Sequence, residues 1–322
     1  MINVGYLELE GRFPLVIEPA IEDLNLALWA ASNREYLEAE LLKHGAILFR
    51  NFAVESASSF EKVARAISPE LLDYCERAAP RHEVSAQIYT STEFPADQHI
   101  PLHHELAHSD KWPMKIWFYC AQPATEGGIT PIANDRKVLP MIDPKIKEKF
   151  LHKNVMYVRN YGEGVDMPWQ EVFQTSDRAT VEEYCRRAQM DCEWKDSEHV
   201  RMRAVRRAMV EHPKTGEMVW FNHAHLFHMS NLEPAVRESL LSIFKEDELP
   251  RNAFYGDGAP IEASVLDEIR RVYDEAAVRF PWRERDVLML DNVISSHGRD
   301  PFVGPRRILV AMAEPGNSVQ TC

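Results

Sequence analysis

Short, nearly continuous apolar runs cluster toward the two ends of the chain, a pattern typical of buried β-strands. The run at 115–121 is also rich in aromatic residues, which favour strands. The predicted strands are 13–17, 46–50, 115–121, 129–133, 155–161, 217–221, 286–290 and 307–312.

Apolar residues at helical spacing dominate the middle of the chain,. The predicted helices are 34–44, 56–67, 144–152, 178–189, 233–244 and 261–278. Strands at both ends around a helical middle predict a mainly β fold, a sandwich or jelly roll with helices on the outside. We therefore expect one domain over residues 1–322, with a largely helical insertion at about 136–280.

Composition narrows the class of protein. The chain has 322 residues, 45% of them hydrophobic, which is enough for a sizeable core,. Lys and Arg number 37 against 50 Asp and Glu, and the net charge of −13 argues against nucleic acid or an anionic membrane as partner,. No run approaches the roughly 20 apolar residues that span a bilayer. The five cysteines are odd in number and form no CxxC, so we expect a cytoplasmic protein with reduced thiols.

The densest group of metal-capable side chains is the stretch 100–108, Ile-Pro-Leu-His-His-Glu-Leu-Ala-His. Two different metal sites fit it. As an HExxH motif, His104 and His108 would share one face of a helix and bind zinc, with Glu105 as the general base, as in zinc hydrolases. Prolines on both sides, at 101 and 113, disfavour a helix here,. The zinc hydrolase is the remote alternative.

As an HxE motif, His103 and Glu105 stand two positions apart and point to the same side of an extended strand. His297, in the polar turn after 286–290, can add a third ligand. Two histidines and a carboxylate form the facial triad of non-haem Fe(II) oxygenases, which leaves positions open for substrates. Arg307 opens the last apolar run, where a charge needs an anionic partner such as a dicarboxylate. Taken singly, His297 fits a hydrogen-bonded loop residue and Arg307 a surface ion pair equally well.

Six stretches between about 85 and 320 together resemble the taurine dioxygenase (TauD/TfdA) superfamily of Fe(II)/2-oxoglutarate oxygenases, most closely its SyrP-like branch. They are Pro-Leu-His-His-Glu at 101–105, Trp-Phe-Tyr-Cys at 117–120, Gly-Gly-Ile-Thr-Pro at 127–131, Asp-Asn at 291–292, Ser-His-Gly-Arg at 296–299 and Gly-Pro-Arg-Arg-Ile-Leu-Val-Ala-Met at 304–312. The resemblance implies a double-stranded β-helix, a cupin-like jelly roll, flanked by helices. It also implies Fe(II), 2-oxoglutarate and O2, with ascorbate as an aid to turnover in vitro.

Carried onto this sequence, the resemblance implies three iron ligands: His103, Glu105 and His297. It implies that Arg307 and Thr130 bind the distal carboxylate of 2-oxoglutarate.

Two positions bear on the substrate. Relatives that bind sulfonates carry a further arginine four positions after the co-substrate arginine, where Ala311 stands here, so a taurine-like substrate is not expected. Relatives that halogenate lack the carboxylate ligand, so Glu105 indicates oxygen transfer.

The SyrP-like resemblance implies a small-molecule substrate in secondary metabolism, an amino acid or its derivative, free or tethered to a carrier protein. Hydroxylation of an unactivated carbon is the expected outcome, and desaturation or ring formation is the alternative. A homo-oligomer is compatible with the sequence. Six polar residues are candidates for the substrate pocket, although each could instead be bonded to its neighbours: Gln87, Tyr89, Arg159, Asn222, His225 and Arg299. Arg159 stands out because an arginine in an apolar strand needs an anion, such as a substrate carboxylate.

Overall fold

The structure is a computed structural model that describes residues 2–8, 12–73, 83–85, 87–91 and 94–317. Its strands are β1 (Ile2–Glu8), β2 (Phe13–Pro19), β3 (Ala46–Phe49), β4 (Glu83–Ser85), β5 (Ile88–Thr90), β6 (Ile100–His103), β7 (Lys111–Gln122), β8 (Glu126–Gly127), β9 (Ile132–Asn134), β10 (Val155–Tyr161), β11 (Asp191–Trp194), β12 (Val200–Arg206), β13 (Met209–Glu211), β14 (Met218–Trp220), β15 (Arg251–Tyr255), β16 (Val287–Asp291), β17 (Ser295–Arg299), β18 (Phe302–Val303) and β19 (Arg307–Asn317). Its helices are α1 (Leu26–Ser32), α2 (Arg34–His44), α3 (Ala57–Ile67), α4 (Asp135–Met141), α5 (Pro144–Lys153), α6 (Trp169–Phe173), α7 (Arg178–Arg187), α8 (Ala224–Phe227), α9 (Pro234–Leu241) and α10 (Ala263–Ala276).

Eight strands form one large sheet, in the order β1-β2-β3-β16-β7-β19-β5-β4. Neighbouring strands are antiparallel, apart from the parallel pair β2 and β3. At the centre β7, from the first half of the chain, pairs with β16 and β19 from its end. The two β-rich ends of the sequence are thus joined in one sheet.

One face of the large sheet is covered by α1, α2 and α3, whose apolar residues pack with Ile47, Trp117 and Leu309. Helix α3 begins after Ser56, whose hydroxyl accepts a hydrogen bond from the Ser59 amide at 3.1 Å, as a helix N-cap does. The opposite face is the inner one, and the three-stranded sheet β6-β17-β9 lies against it. Ring centres of Phe118, on β7, and His297, on β17, are 4.8 Å apart.

The segment between β9 and β16 builds a second sheet of its own, β11-β12-β10-β15, and the hairpin β13-β14, surrounded by α4 to α10. The prediction of a largely helical middle was therefore incomplete, because β11, β12, β13 and β15 were missed. Strand β12 reads Val-Arg-Met-Arg-Ala-Val-Arg. Its arginines conceal the strand pattern, since their long stems can cover apolar surface while their charged ends remain bonded.

The predicted fold class, mainly β with flanking helices, is confirmed. Within the described ranges no helix is both long and apolar enough to cross a bilayer. Cys120, Cys185 and Cys192 are free thiols, while Cys75 and Cys322 lie outside the described residues.

Candidate metal centre and its two cavities

Three side chains converge where β6 meets β17. One possible donor atom from each of His103, Glu105 and His297 lies within 4.8 Å of the other two. Strand pairing brings this about, because His297 stands directly opposite His103 in the antiparallel ladder. The structure therefore brings together the HxE pair and the distant histidine that the sequence suggested.

His103 is the last residue of β6. Its Nδ1 lies 2.8 Å from the carbonyl oxygen of Pro101, and since a carbonyl only accepts, Nδ1 carries the hydrogen. This leaves Nε2 as the donor for a metal, the arrangement in which a neighbouring acceptor fixes the tautomer of a ligand histidine. Burial, with a smaller contribution from His297, lowers the pKa of His103 to about 3, so the ring is neutral at physiological pH.

Glu105 follows in the turn after β6, where Asn292 holds its backbone. The amide of Glu105 donates to Asn292 Oδ1 at 2.7 Å, and Asn292 Nδ2 donates to the Glu105 carbonyl at 3.0 Å. The same Nδ2 also donates to the carbonyl of Pro113 at 2.8 Å. Because Asn292 is fully buried, these bonds fix the carboxylate-bearing residue against the loop that precedes His297.

His297 depends on a close backbone approach beside it. A Cβ at Gly298 would lie 2.6 Å from the carbonyl oxygen of Ile100, so only glycine lets β17 approach β6 this closely. The ladder is irregular here, with a register shift between His297 and Arg299, a local kink of the kind found beside active sites.

The side chain of His104 points away from the three donors, into the protein interior. Its Nδ1 lies 2.7 Å from the Asn292 carbonyl and its Nε2 lies 3.0 Å from the Trp220 carbonyl. The same Nε2 is 3.3 Å from Asp135 Oδ1. Burial alone would lower the pKa of His104, but the Asp135 carboxylate and the two backbone carbonyls together outweigh it and raise the pKa.

Asp135 connects the residue before Glu105 with the residue before His297. While Oδ1 faces His104, Oδ2 accepts a hydrogen bond from the Ser296 amide at 2.8 Å. His104 precedes the ligand candidate Glu105, and Ser296 precedes His297. The network therefore positions two of the three donors.

The HExxH alternative is wrong on this geometry. Residues 104–108 form a turn rather than a helix, and Leu106 has a φ of 59°. His104 and His108 consequently do not share a face with Glu105, and neither belongs to the cluster of convergent donors.

A narrow cavity opens on one side of the donors, lined by Thr130, His297, Arg299 and Arg306 among others. Arg306 Nε donates to the Gly128 carbonyl at 2.9 Å, and Nη2 donates to Thr130 Oγ1 at 3.3 Å. Thr130 Oγ1 also accepts from Trp282 Nε1 at 3.0 Å. Burial lowers the pKa of Arg306 to about 10, so it is still a cation at physiological pH.

Arg307 was expected here, and the structure corrects that assignment by one residue. Strand β19 alternates, with Ile308 and Val310 on the inner face and Leu309 on the helix-covered face. Arg306 shares the inner side with Ile308, whereas Arg307 is exposed and stands opposite Gln122. Four positions after Arg306 stands Val310, which lines the cavity, so the position that Ala311 was expected to fill is still apolar.

Arg299 also lines the narrow cavity but is held by backbone. Its Nη1 donates to the Phe94 carbonyl at 2.9 Å, and Nη2 donates to the carbonyls of Pro95 and Gln98 at 2.6 and 2.8 Å. It therefore fixes the segment that precedes β6, between the two cavities of the site.

A much larger cavity, of about 770 Å³, opens on the other side of the donors. His103 and Glu105 form part of its wall, together with His108, His223, Phe227 and Arg251. His108 and His223 touch through their Nδ1 atoms, 3.2 Å apart, and burial lowers the pKa of both. The volume lies in the range of small-molecule sites.

Most residues expected in the substrate pocket lie elsewhere. Asn222 is fully buried and bonds the backbone of Ala208 and Ala224. His225 Nε2 donates to the Leu102 carbonyl at 2.8 Å, which supports β6 from behind.

The two candidates near β5 also lie outside the large cavity. Gln87 bonds Arg65 and Asp73, and its φ of 63° places it in the turn between β4 and β5. Tyr89 is buried opposite Val310 on the large sheet.

Arg159 and Arg251 are different, because they stand directly opposite each other on β10 and β15. Arg251 lines the large cavity. The sequence carried no signal for Arg251, Arg306 or the His108–His223 pair in these places, apart from the adjacency of Arg306 to the residue chosen.

Two imidazoles and one carboxylate, between a narrow cavity with a partly buried arginine and a larger cavity, match the donor set of a mononuclear non-haem site of the facial-triad type,. The family model described as "Taurine catabolism dioxygenase TauD, TfdA family" matches residues 12–312. The chain belongs to this TauD/TfdA family, as its motifs suggested.

Two relatives agree with this assignment, and a solved structure shares the fold. The chain is 42% identical to the dapdiamide synthesis protein DdaC of Enterobacter agglomerans over 275 residues, which is 85% of this chain and 84% of DdaC. It is 31% identical to a clavaminate synthase-like protein of Arabidopsis thaliana over 325 residues, 94% of each. Its fold is similar to that of PvcB from Pseudomonas aeruginosa, with a TM-score of 0.58 at 17% identity over 97% of this chain and 90% of PvcB.

The protein is therefore a dioxygenase that uses Fe(II), 2-oxoglutarate and O2, and it acts on a small molecule. The residues present fit these groups. Three convergent N and O donors suit Fe(II) with positions left open,, and the partly buried Arg306 beside Thr130 suits a carboxylate,.

Proposed function

We propose that this enzyme hydroxylates an unactivated C–H bond of an amino acid, or an amino-acid-derived small molecule, in secondary metabolism. The observation that carries the proposal is the position of the three donors between two cavities, one narrow and arginine-based, the other of about 770 Å³. The relatedness to a dapdiamide synthesis protein supports the metabolic setting.

In this proposal His103, Glu105 and His297 bind the iron. Arg306 and Thr130 bind the distal carboxylate of 2-oxoglutarate, with Trp282 orienting the threonine hydroxyl through its indole N–H. When bound, the iron and 2-oxoglutarate supply the oxidising chemistry, with release of succinate and CO2. The substrate occupies the large cavity, whose walls exclude bulk water from the reacting centre.

Glu105 supports oxygen transfer over halogenation, because it occupies the position that a halide would need at the metal. Desaturation and ring formation require the same ligands and are the second candidate outcome. Product mass separates them, since hydroxylation adds one oxygen while desaturation removes two hydrogens.

The wider setting is part of the same proposal. A carrier protein could present the substrate, and the chain could form a homo-oligomer. The three free thiols described agree with a cytoplasmic location,.

The test is an anaerobic titration of the protein with Fe(II) and 2-oxoglutarate, followed by the weak visible charge-transfer band of the chelate. We expect the band to appear only when both are present, and to disappear with Glu105→Ala. Succinate release in air, with and without added amino acids, then measures turnover. Absence of the band together with absence of succinate would refute the proposal.

A further inference from the structure

Two arginines lie side by side on the second sheet, facing the large cavity. Arg159 on β10 is paired with Arg251 on β15, and residues directly opposite each other in a ladder point to the same face. Tyr157 stands two positions before Arg159 and therefore faces the same way. Its ring lies beside those of His108 and Phe227, which line the cavity, so the arginine pair belongs to that side of the sheet.

The pair carries charge that the described protein does not neutralise. Arg159 is only 9% exposed, and its Nε has no hydrogen-bond partner. Both arginines contact aromatic rings. The guanidinium carbon of Arg159 lies 4.7 Å from the ring centre of Tyr161, and that of Arg251 lies 5.9 Å from the ring centre of Phe227.

The two positive charges repel each other across the strand pair, and the effect is seen at Arg251. Burial, and then the charge of Arg159, lower the pKa of Arg251, while attraction by Asp166 is the weaker influence. By contrast, two other buried arginines have carboxylate partners: Arg50 lies 2.7 Å from Asp286 and Arg201 lies 2.8 Å from Asp247. A buried arginine beside a partly buried one, with no described carboxylate at ion-pair distance from either, is costly,, and the two form a preformed site for an anion.

The arginine pair shares a cavity with the metal donors, so the anion that it binds belongs to the substrate. Glu105 and Arg251 line the same cavity. His108 lines this cavity as well. A molecule bound at the arginines can therefore reach the metal donors within one continuous cavity.

We propose that Arg159 and Arg251 bind a free carboxylate of the substrate, so that the molecule oxidised is a free acid and not an acyl group held on a carrier through that carboxylate. The inference rests on the proposed function, which it narrows. A carboxylate fits better than the phosphate of a carrier arm, because Arg159 is too deeply buried to meet a group that remains at the cavity mouth. Planar guanidinium groups also match the two oxygens of a carboxylate.

The experiment compares three forms of each probe: L-amino acids, their primary carboxamides, and their N-acetylcysteamine thioesters. Succinate release is measured with the full chain, Fe(II) and saturating 2-oxoglutarate, and the rate without probe is recorded for every variant. The variants are Arg159→Gln and Arg251→Gln. Arg203→Gln is the matched control, because Arg203 lies on β12 of the same sheet, opposite Val158 rather than Arg159, and pairs with Glu193.

We expect at least one free acid to stimulate succinate release and its amide to be roughly 10- to 100-fold weaker, the range of one charge-assisted hydrogen bond. Arg159→Gln and Arg251→Gln should lose most of this discrimination through a raised KM for the acid, and Arg203→Gln should retain it. Equal stimulation by acid and amide, a thioester better than the acid, or no stimulation by any acid would overturn the carboxylate site. If the wild-type protein released no succinate in the absence of a probe, that result would instead count against the proposed function itself.

Discussion

Arg306, which directly precedes β19, and Arg307, which begins it, provide the sharpest test of the site, because the structure gives them opposite environments. Arg306 faces the narrow cavity beside Thr130, and Arg307 is exposed. The informative perturbation is therefore a matched pair, Arg306→Gln and Arg307→Gln. Each variant removes one positive charge, and the two positions are consecutive in the chain.

The expected magnitude follows from the hydrogen bonds of Arg306. A guanidinium has five N–H donors. Gly128 and Thr130 take one each at 2.9 and 3.3 Å, and Ser91 Oγ takes a third at the long distance of 3.4 Å. The remaining donors can bind one carboxylate bidentately. Removing one partner of such a buried charge pair costs about 2–5 kcal/mol, or roughly 30-fold to a few thousand-fold in affinity.

Arg307→Gln should change little, because exposed substitutions stay within about 0.5 kcal/mol, which is roughly twofold in affinity. The assay is the KM for 2-oxoglutarate from succinate release, together with its Kd from the anaerobic visible band. Arg306→Lys should fall between the wild type and Arg306→Gln, since it keeps the charge but loses the planar fork. If Arg307→Gln weakened 2-oxoglutarate binding as much as Arg306→Gln, the inward direction of Arg306 would be refuted.

Three further predictions concern the surroundings of the metal. Glu105→Ala should abolish hydroxylation and the visible band, and mass spectrometry that still found product would show that the carboxylate is not a ligand. His104→Gln should lower the free energy of unfolding, measured by denaturant, by roughly 3–5 kcal/mol, because it leaves Asp135 buried without its cation,. Turnover of this variant should return at saturating iron. A permanent loss of metal binding would instead indicate that His104 is a ligand. Trp282→Phe removes the donor to Thr130 and should raise the KM for 2-oxoglutarate roughly 2- to 10-fold at constant kcat, and an unchanged KM would contradict the orienting role.

Local patterns in the sequence were enough to indicate the fold class and the metal donors. Apolar runs marked β3, β7, β16 and β19, because continuous apolar residues are needed wherever a sheet is covered on both faces. The HxE spacing carried its information locally as well, since alternation along an extended chain decides that His103 and Glu105 share a side. The family motifs then connected this pair to His297.

Sequence patterns failed where a direction or a pairing depends on distant contacts. Both faces of β19 are apolar, so alternation alone does not reveal whether Arg306 or Arg307 points inward. Strand β12 of the middle segment was missed for a related reason, since its arginines interrupt the apolar pattern. Asn222 and His225 look like site residues until the structure shows their bonds to the backbone.

The chain's own sequence therefore determined the sheet-forming ends and the family, and it predicted the three convergent side chains, because each is encoded by neighbours or by short motifs. Only the tertiary structure decided that Arg306 enters the narrow cavity, that His104 pairs with Asp135, and that Arg159 lies opposite Arg251 beside the large cavity. The physical reason is that register between strands distant in sequence is set by the packing of whole faces. A residue's bonding partners across such a ladder cannot be read from its own neighbours.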